Sequence, residues 1–256
     1  MLGGRKACSN APQSPATIPS MVEPEVEILL EKGPCLVVNK PAGLLTQAPP
    51  GIDSLERRVK EFLKQRDHKP GNVYLGVPHR LDRPASGAIV LARHVRAARR
   101  LAEQFEARTV RKVYWACVEG HLAPAVGTWI DWMRKIPDQP RAELVPPEHP
   151  EARQAILHYR TLGVFDWGTW VEIELETGRM HQVRIQAAAR GHPVLGDTTY
   201  GSKTPFGPPC EDWRLRPIAL HARELHFRHP MTYEPLAVVA PPPPQWQALV
   251  GPPSGQ

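Results

Sequence analysis

The chain has 256 residues and 41% of them are apolar, which is enough to fill the core of one large domain. No segment approaches the roughly 20 consecutive apolar residues of a membrane-spanning helix, so the sequence predicts no membrane association. The formal net charge of +6 favours a polyanionic partner such as a nucleic acid.

The four cysteines have no CxxC spacing and so indicate neither a zinc site nor a disulfide framework, but reduced thiols in a cytoplasmic protein. The first residues lack the apolar run of a secretory signal, and because no acidic residue precedes Glu23, an organellar transit peptide stays open as an alternative. Many of the 30 prolines lie near the two ends. We therefore predict flexible tails at 1–24 and 241–256 around one domain that spans 25–240.

The first elements of this domain are two short strands and a helix. Residues 26–47 are apolar on both sides of a Gly33-Pro34 turn, and the second strand reads CLVVNK. In 54–66 the apolar side chains recur at helical spacing, and Ser54 stands where an N-cap is expected.

The stretch GVPHRLDRPASGAIVLAR places Asp82 between Arg80 and Arg83, immediately before an apolar run. That run is typical of a buried strand, so the carboxylate is expected at the mouth of a core element, where functional sites are often built. An arginine within about 4–6 Å lowers the pKa of an aspartate and keeps it ionised. Asp82 is then either an aimed nucleophile or part of an ordinary loop salt bridge.

The middle of the chain predicts a second helix, a strand and an irregular segment. Residues 94–108 repeat the helical spacing and carry arginines on the opposite face, which is either solvated or phosphate-binding. The segment 110–120, VRKVYWACVEG, predicts a strand in which Tyr114 is either a core residue or a platform for an RNA base. The segment 121–153 is rich in proline and is predicted to be mostly loop.

Extended patterns dominate the remainder. Residues 155–191 favour strands throughout, and WVEIEL within them alternates as a half-buried strand does. Further strands are predicted in 218–230 and 235–240. Short strands, two or three helices and no βαβ alternation together predict an α+β fold with a mainly antiparallel sheet.

Several hydrogen-bond donors follow the alternating strand. The segment ETGRMHQVRIQ supplies Arg179, His181, Gln182 and Arg184, and so many donors near one strand end can hold a phosphate or a carboxylate. The segment 190–201, RGHPVLGDTTYG, is a loop of the kind that forms the wall of a site.

Five motifs occur in the order and approximate spacing of the RluA-type pseudouridine synthases: VVNKPAGLLTQ, HRLDRPASG, RKVYWACV, ETGRMHQVRIQAAARGHPVLGDTTYG and IALHARELHFRHP. The chain resembles this family from about residue 25 to residue 240. The resemblance implies a single pseudouridine-synthase-type catalytic domain with a bent, mixed, largely antiparallel sheet and a central cleft. It also implies an isomerase that converts selected uridines of ribosomal or transfer RNA to pseudouridine, needs neither metal nor cofactor, and is expected to be a monomer.

The same resemblance implies roles for individual residues. Asp82 matches the catalytic aspartate, Tyr114 the tyrosine against which the flipped base packs, and Arg184 the basic residue that pairs with the aspartate. Arg80 matches the arginine that fills the gap left by the flipped uridine. The residues expected to bind substrate are Arg80, Arg179, His181 and Gln182.

Three positions depart from the family pattern. Ala85 stands where Thr is usual, Met180 where a small hydroxyl residue is usual, and Gln186 where His is common. These departures bear on substrate preference more than on activity. Many relatives carry an S4-like RNA-binding domain before the catalytic domain, and the residues before the first predicted strand are too few for one. We therefore expect RNA recognition to rest on the catalytic domain, on 121–153 or on the tails.

Two other classes of protein stay open. A non-catalytic RNA-binding protein on the same fold would not need Asp82 or Tyr114. A glycoside or nucleoside hydrolase would need a second carboxylate to activate water, and three glutamates alternate along one strand without being placed opposite Asp82. These glutamates are Glu172, Glu174 and Glu176.

A metal site is not expected from the histidines of the last motif. His221 and His226 point to opposite faces of an alternating strand, and His229 follows it, so a shared ion is not predicted.

Overall fold

The computed structural model describes residues 26–251, so the predicted tail at 1–24 and the last five residues lie outside the described part. Within it, one sheet of ten strands is flanked by helices. The strands are β1 (Ile28–Lys32), β2 (Cys35–Lys40), β3 (Ser86–Ala92), β4 (Arg111–Glu119), β5 (Val126–Lys135), β6 (Ala142–Leu144), β7 (Arg153–Phe165), β8 (Gly168–Leu175), β9 (Leu220–Arg228) and β10 (Pro235–Val239). The helices are α1 (Leu55–Arg66), α2 (Val95–Glu106), α3 (Gln182–Ala189) and the short α4 (Gln247–Val250).

The strand order across the sheet is β1-β2-β3-β9-β4-β8-β7-β5-β6, with β10 paired to β9. Neighbouring strands are antiparallel except for β3 and β9, which run parallel where Ser86 and Gly87 face His221 and Ala222. The predicted α+β fold with a mixed, largely antiparallel sheet is therefore confirmed. No helix within residues 26–251 has the length and apolar character needed to cross a membrane.

The first two helices form where the spacing of apolar residues predicts them. Ser54 caps α1, because its hydroxyl accepts a hydrogen bond from the Arg57 amide at 3.3 Å. His94 does the same for α2, accepting from the Ala97 amide at 3.2 Å through Nδ1. The apolar face of each helix packs on the sheet, which explains why the periodicity was visible in the sequence.

Two segments differ from their predictions. Residues 182–189, predicted to be extended, form α3, whose side chains are buried on nearly every side, so that no polar face marks the helical period. The segment 121–153, predicted to be mostly loop, contains the ten-residue strand β5, which pairs with β6 and β7. Its prolines lie before and after that strand, where they interrupt no hydrogen bond of the sheet.

The predicted C-terminal tail also needs correction. Trp246 is only 1% exposed and packs against Phe206 and Trp115, with ring centroids 5.8 Å and 6.4 Å away. The free energy gained by burying this large aromatic side chain outweighs the conformational entropy that the proline-rich segment loses when it becomes ordered. Residues 241–251 therefore belong to the folded domain.

Candidate active site

The loop that carries Asp82 is fastened to the segment after β2. The Thr46 hydroxyl accepts from the Leu81 amide at 3.2 Å and donates to the Leu81 carbonyl at 3.0 Å. On the other side of Asp82, the Arg83 side chain donates through Nε to the Gly43 carbonyl at 2.9 Å, and the Gly43 amide donates to the Arg83 carbonyl at 2.8 Å. Both neighbours of Asp82 are thus fixed by the first of the five motifs.

Lys40 lies beneath this loop and is fully buried. Its ammonium donates to the carbonyls of Leu44 at 2.8 Å, Pro41 at 2.9 Å and Arg83 at 3.3 Å, one acceptor for each N–H. Burial lowers the pKa of Lys40 to about 7, while the negative charge of Asp82 acts in the opposite direction. Lys40 therefore supports the Asp82 loop from inside the protein.

The strand that follows Asp82 is held by the parallel pairing with β9. The Ser86 hydroxyl and His221 Nδ1 are 2.9 Å apart, and both side chains are buried. Gly87 has φ +119, and a Cβ at this position would lie 2.3 Å from the Ala222 carbonyl oxygen. Only glycine permits this close approach, which fixes the start of β3 directly after the Asp82 loop.

Arg184, on α3, joins two carboxylates. Its Nη1 is 3.3 Å from Asp82 Oδ2, while Nε and Nη2 bind the two oxygens of Asp197 at 2.6 Å and 2.9 Å. Arg184 is 4% exposed and Asp197 1%, whereas the Asp82 side chain is 25% exposed. Burial disfavours the cation, but the Asp197 hydrogen bonds and the charges of both aspartates outweigh it and raise the pKa of Arg184. We call Asp82, Arg184 and Asp197 the charge cluster.

Tyr200 and His181 lie against this charge cluster. The Tyr200 hydroxyl and His181 Nδ1 are 2.9 Å apart, and Arg184 Cζ lies 5.1 Å from the centre of the tyrosine ring. His181 Nε2 is 3.9 Å from Asp82 Oδ1. Burial lowers the pKa of His181, although the Asp82 charge opposes the change, so at neutral pH the imidazole is mainly uncharged. The backbone of His181 has φ +55, a strained value for a residue other than glycine.

Tyr114 lies on β4, between Ala222 of β9 and Ile173 of β8, and packs against two apolar clusters of the core. Burial and the nearby charge of Asp82 raise the pKa of its phenol, so the ring stays neutral. The structure therefore brings Asp82, Tyr114, His181 and Arg184 together, from three separate parts of the chain.

The other predicted residues occupy different positions. Arg80 is exposed next to the Asp82 loop and forms no ion pair within residues 26–251. Gln182 is buried, accepts from the Thr177 hydroxyl at 2.8 Å and donates to the Ile156 carbonyl at 3.0 Å, so its amide holds the turn before α3. Arg179 lies at the edge of the site and donates to the Gln154 carbonyl at 3.0 Å.

The three alternating glutamates are all engaged away from Asp82. Glu172 pairs with Arg160 at 2.7 Å, Glu174 with Arg111 at 2.8 Å, and Glu176 lies 3.5 Å from His158. Asp197 shares the partner Arg184 with Asp82, but both of its carboxylate oxygens accept hydrogen bonds from Arg184. This arrangement does not favour a water-activating carboxylate pair.

The last-motif histidines also have separate partners. His221 is 3.1 Å from the Ala240 carbonyl, His226 is 2.8 Å from Glu224, and His229 is 3.2 Å from the Lys32 carbonyl.

Sequence reasoning did not identify Asp197, Tyr200 and Lys40 as parts of the site. The segment 190–201 was expected to form a wall, but nothing in its pattern singled out Asp197 as the partner of Arg184. For Lys40 the available signal was a charged residue at the end of a strand that begins with four apolar residues, and a buried ammonium there requires buried acceptors.

Comparisons with known proteins show the family to which the chain belongs. The family model described as RNA pseudouridylate synthase matches residues 34–189. The chain is 35% identical to a ribosomal large subunit pseudouridine synthase D of Xanthomonas campestris, over 88% of this chain and 68% of that protein. It is 32% identical to a tRNA pseudouridine synthase C of Haemophilus ducreyi, over 88% of this chain and 94% of that protein.

Among solved structures, human RNA pseudouridylate synthase domain containing 4 superposes with a TM-score of 0.70. The match covers 85% of this chain and 89% of the human chain at 24% identity, and it supports the fold. The chain belongs to the RNA pseudouridylate synthase family, of the RluA type that its motifs predicted. The predicted function and isomerase class are thereby confirmed, in preference to a non-catalytic protein on the same fold.

Proposed function

We propose that the cleft at Asp82 isomerises selected uridines of structured ribosomal or transfer RNA, and that Asp82 is the group that starts glycosidic cleavage. The observation that carries this proposal is the position of Arg184, which bridges the buried Asp197 and the partly exposed Asp82. Asp197 neutralises and orients the guanidinium, and the guanidinium in turn fixes the orientation of the Asp82 carboxylate through a hydrogen bond.

The reaction breaks the bond between ribose C1′ and N1 of the base and forms a bond between C1′ and C5. The hydrogen on C5 leaves as a proton and N1 gains one, so no atom is added overall and no electron is transferred. Asp82 acts as a nucleophile or as a base on the reacting nucleotide. Tyr114 provides a neutral aromatic face for the base while it rotates.

Reaching the uridine requires it to leave its stack, which costs a few kcal/mol. Arg80 is exposed beside Asp82, and we propose that its side chain fills the space that the base vacates. His181, uncharged and within 3.9 Å of Asp82, is placed to contact the extruded nucleotide.

The choice between ribosomal and transfer RNA is a matter for experiment, because the chain is similar to proteins named for each. We propose that the protein acts as a monomer in the cytoplasm. The three cysteines within the described residues are free thiols, which suits a reducing compartment.

The test is tritium release from RNA labelled at uridine C5, with separate unmodified pools of ribosomal and transfer RNA. We expect wild type to release tritium from one pool, and Asp82→Asn to lower the rate by about four orders of magnitude or more, since the acting carboxylate is removed. RNA binding and the folded circular dichroism spectrum are expected to persist, because Asn has nearly the same shape. Asp166→Asn, in the exposed turn between β7 and β8, is the matched control.

The outcomes separate the possible explanations. Turnover by Asp82→Asn at the Asp166→Asn rate would contradict the role of Asp82. Release of free uracil by wild type would instead indicate a hydrolase. Tight RNA binding without tritium release from either pool would point to a binding protein.

A further inference from the structure

Arg80 is not the only cation near the active site without an acidic partner within residues 26–251. Four others form one group: Arg108, Lys112, Arg153 and Arg179. We call them the basic strip. Their surroundings differ from those of the neighbouring arginines. Arg134 is paired with Glu143 at 2.7 Å and Glu151 at 3.0 Å, and Arg111 is paired with Glu174 at 2.8 Å.

The strip begins at the active site itself. Lys112 precedes Tyr114 by two residues on β4, so the two side chains lie on the same face of the sheet. A Cβ placed on Gly178 would be 3.7 Å from Lys112 Nζ, which shows that Lys112 reaches the turn carrying Arg179. The strip is therefore continuous with the cleft around Asp82.

From that turn the strip extends across a concave surface. Arg153 and Arg179 line the same cavity, of about 370 Å³, together with Met180. Met180 directly precedes His181 of the active site. Burial and the charges of Arg108 and Arg153 lower the pKa of Arg179, as expected for like charges that face one another without a counterion.

Arg108 adds an independent observation. It follows the end of α2 in the left-handed region, with φ +57, and its side chain is exposed. Glycine is the residue usually found at such a helix end, because a side chain there strains the backbone. Arg108 is exposed, has a strained backbone and lies among unpaired cations. This combination indicates that the position requires the positive charge of arginine and tolerates the backbone strain.

We infer that the basic strip binds the phosphodiester backbone of the substrate RNA next to the flipped uridine, with the cavity at Arg153 and Arg179 holding one neighbouring nucleotide. The inference rests on the proposed RNA substrate and adds the surface that contacts it. Phosphates supply the missing counterions, and the nearby acids do not compete strongly, since Glu143, Glu151 and Glu174 already have arginine partners. Glu176 borders Arg108 and faces His158 at 3.5 Å.

The experiment measures binding of a fluorescein-labelled RNA stem-loop with a uridine-rich loop, over a series of KCl concentrations. The full chain is compared with Arg108→Gln, Arg153→Gln and the double variant. Each lost phosphate contact is expected to weaken binding about five- to eightfold near 0.1 M salt, and to reduce the slope of log K against log [KCl] by about 0.7–0.9. Both side chains are exposed, so the variants are expected to fold, and thermal unfolding checks this.

Lys64→Gln is the matched control. Lys64 is exposed in the last turn of α1, and that end of α1 lies beside Arg93, at the far end of β3 from Asp82, about 20 Å along the strand. Arg153→Lys is expected to keep the salt slope, because a single charge suffices for a phosphate.

If the double variant binds with the affinity and slope of Lys64→Gln, or if wild type does not bind the stem-loop, the inference is overturned. Tritium release is measured in parallel. If wild type releases tritium and the double variant binds RNA normally, the role of the basic strip in RNA binding is overturned but the enzyme function is not. If the double variant binds RNA weakly and wild type releases no tritium, the enzyme function is contradicted and the role of the basic strip in RNA binding is supported.

Discussion

The charge cluster and the basic strip lie next to each other but differ in whether their charged side chains have partners of opposite charge within the protein. In the charge cluster, Arg184 meets two aspartates, and Lys40 below it meets three carbonyls. In the basic strip, the cations have no acidic partner within residues 26–251 and are exposed or half-buried. Charges that are satisfied internally position groups, whereas charges left unsatisfied at a surface are available to a ligand.

Among the changes that test this comparison, Asp197→Asn is expected to have the largest effect on stability and activity. The change leaves Arg184 buried with only Asp82 as a charged partner, and removing one member of a buried pair costs about 3–5 kcal/mol of stability. We expect kcat to fall with little change in KM, because Asp197 acts through Arg184 rather than on the RNA. Chemical denaturation and steady-state tritium release measure the two effects.

Asp212→Asn is the control for that experiment. It breaks the exposed pair with Arg214, in which the side chains are 31% and 58% exposed, and is expected to cost much less stability than Asp197→Asn because solvent screens the pair. Equal losses in the two variants would show that burial does not distinguish the charge cluster from a surface ion pair.

The next effect concerns the rigidity of the Asp82 loop. Gly87→Ala places a methyl group 2.3 Å from the Ala222 carbonyl oxygen, so β3 and β9 must separate, and we expect a cost of about 3 kcal/mol or more. Gly191→Ala is the control, since Gly191 also has positive φ, at +80, but a Cβ there meets no atom within 4 Å. It is expected to cost about 1 kcal/mol. Thermal unfolding of both variants separates the clash from backbone strain.

The most gradual effect is a dependence of stability on pH. Burial lowers the pKa of His79 to about 3 and that of His221 to about 4, from an ordinary value near 6.5. Below pH 6.5 these two histidines bind protons in the unfolded chain but stay unprotonated in the folded chain. Each histidine therefore contributes stability that is fully present above pH 6.5 and declines by about 1.4 kcal/mol per pH unit as the pH falls toward the folded value.

Urea denaturation between pH 7.5 and pH 5 measures this decline. His221→Gln is expected to flatten the curve by the share of one histidine. RNA binding through the basic strip is expected to change less over the same range, because arginine and lysine stay charged in it. A pH curve for wild type that is flat in stability would contradict the burial of both imidazoles.

The sequence was sufficient for the local elements with a polar and an apolar face, such as α1 with Ser54 as its cap. It was insufficient for α3, because a helix buried on all sides has no hydrophobic period to detect. The same limit applies to the C-terminal segment, where Trp246 binds to a surface that only the complete fold creates.

For the site, the motifs identified Asp82, Tyr114 and Arg184, and the structure brings these residues together. The partnership of Arg184 with Asp197, and the position of Gln182 inside the turn, were not predictable. Both depend on how α3 packs against the loop that follows it, which is a tertiary contact without a local pattern. The unpaired state of the basic strip likewise depends on which acids lie near each cation.

The parallel pairing of β3 with β9 has a consequence for biosynthesis. Ser86 and His221 are 135 positions apart, so the strand that holds the Asp82 loop in place is synthesised long after the loop itself. A growing polypeptide contains Asp82, Tyr114 and Arg184 well before β9 is available to align them. Contacts of such long range form late and slowly in folding. The enzyme is therefore expected to stay inactive on RNA near its site of synthesis until nearly all of the domain has emerged from the ribosome.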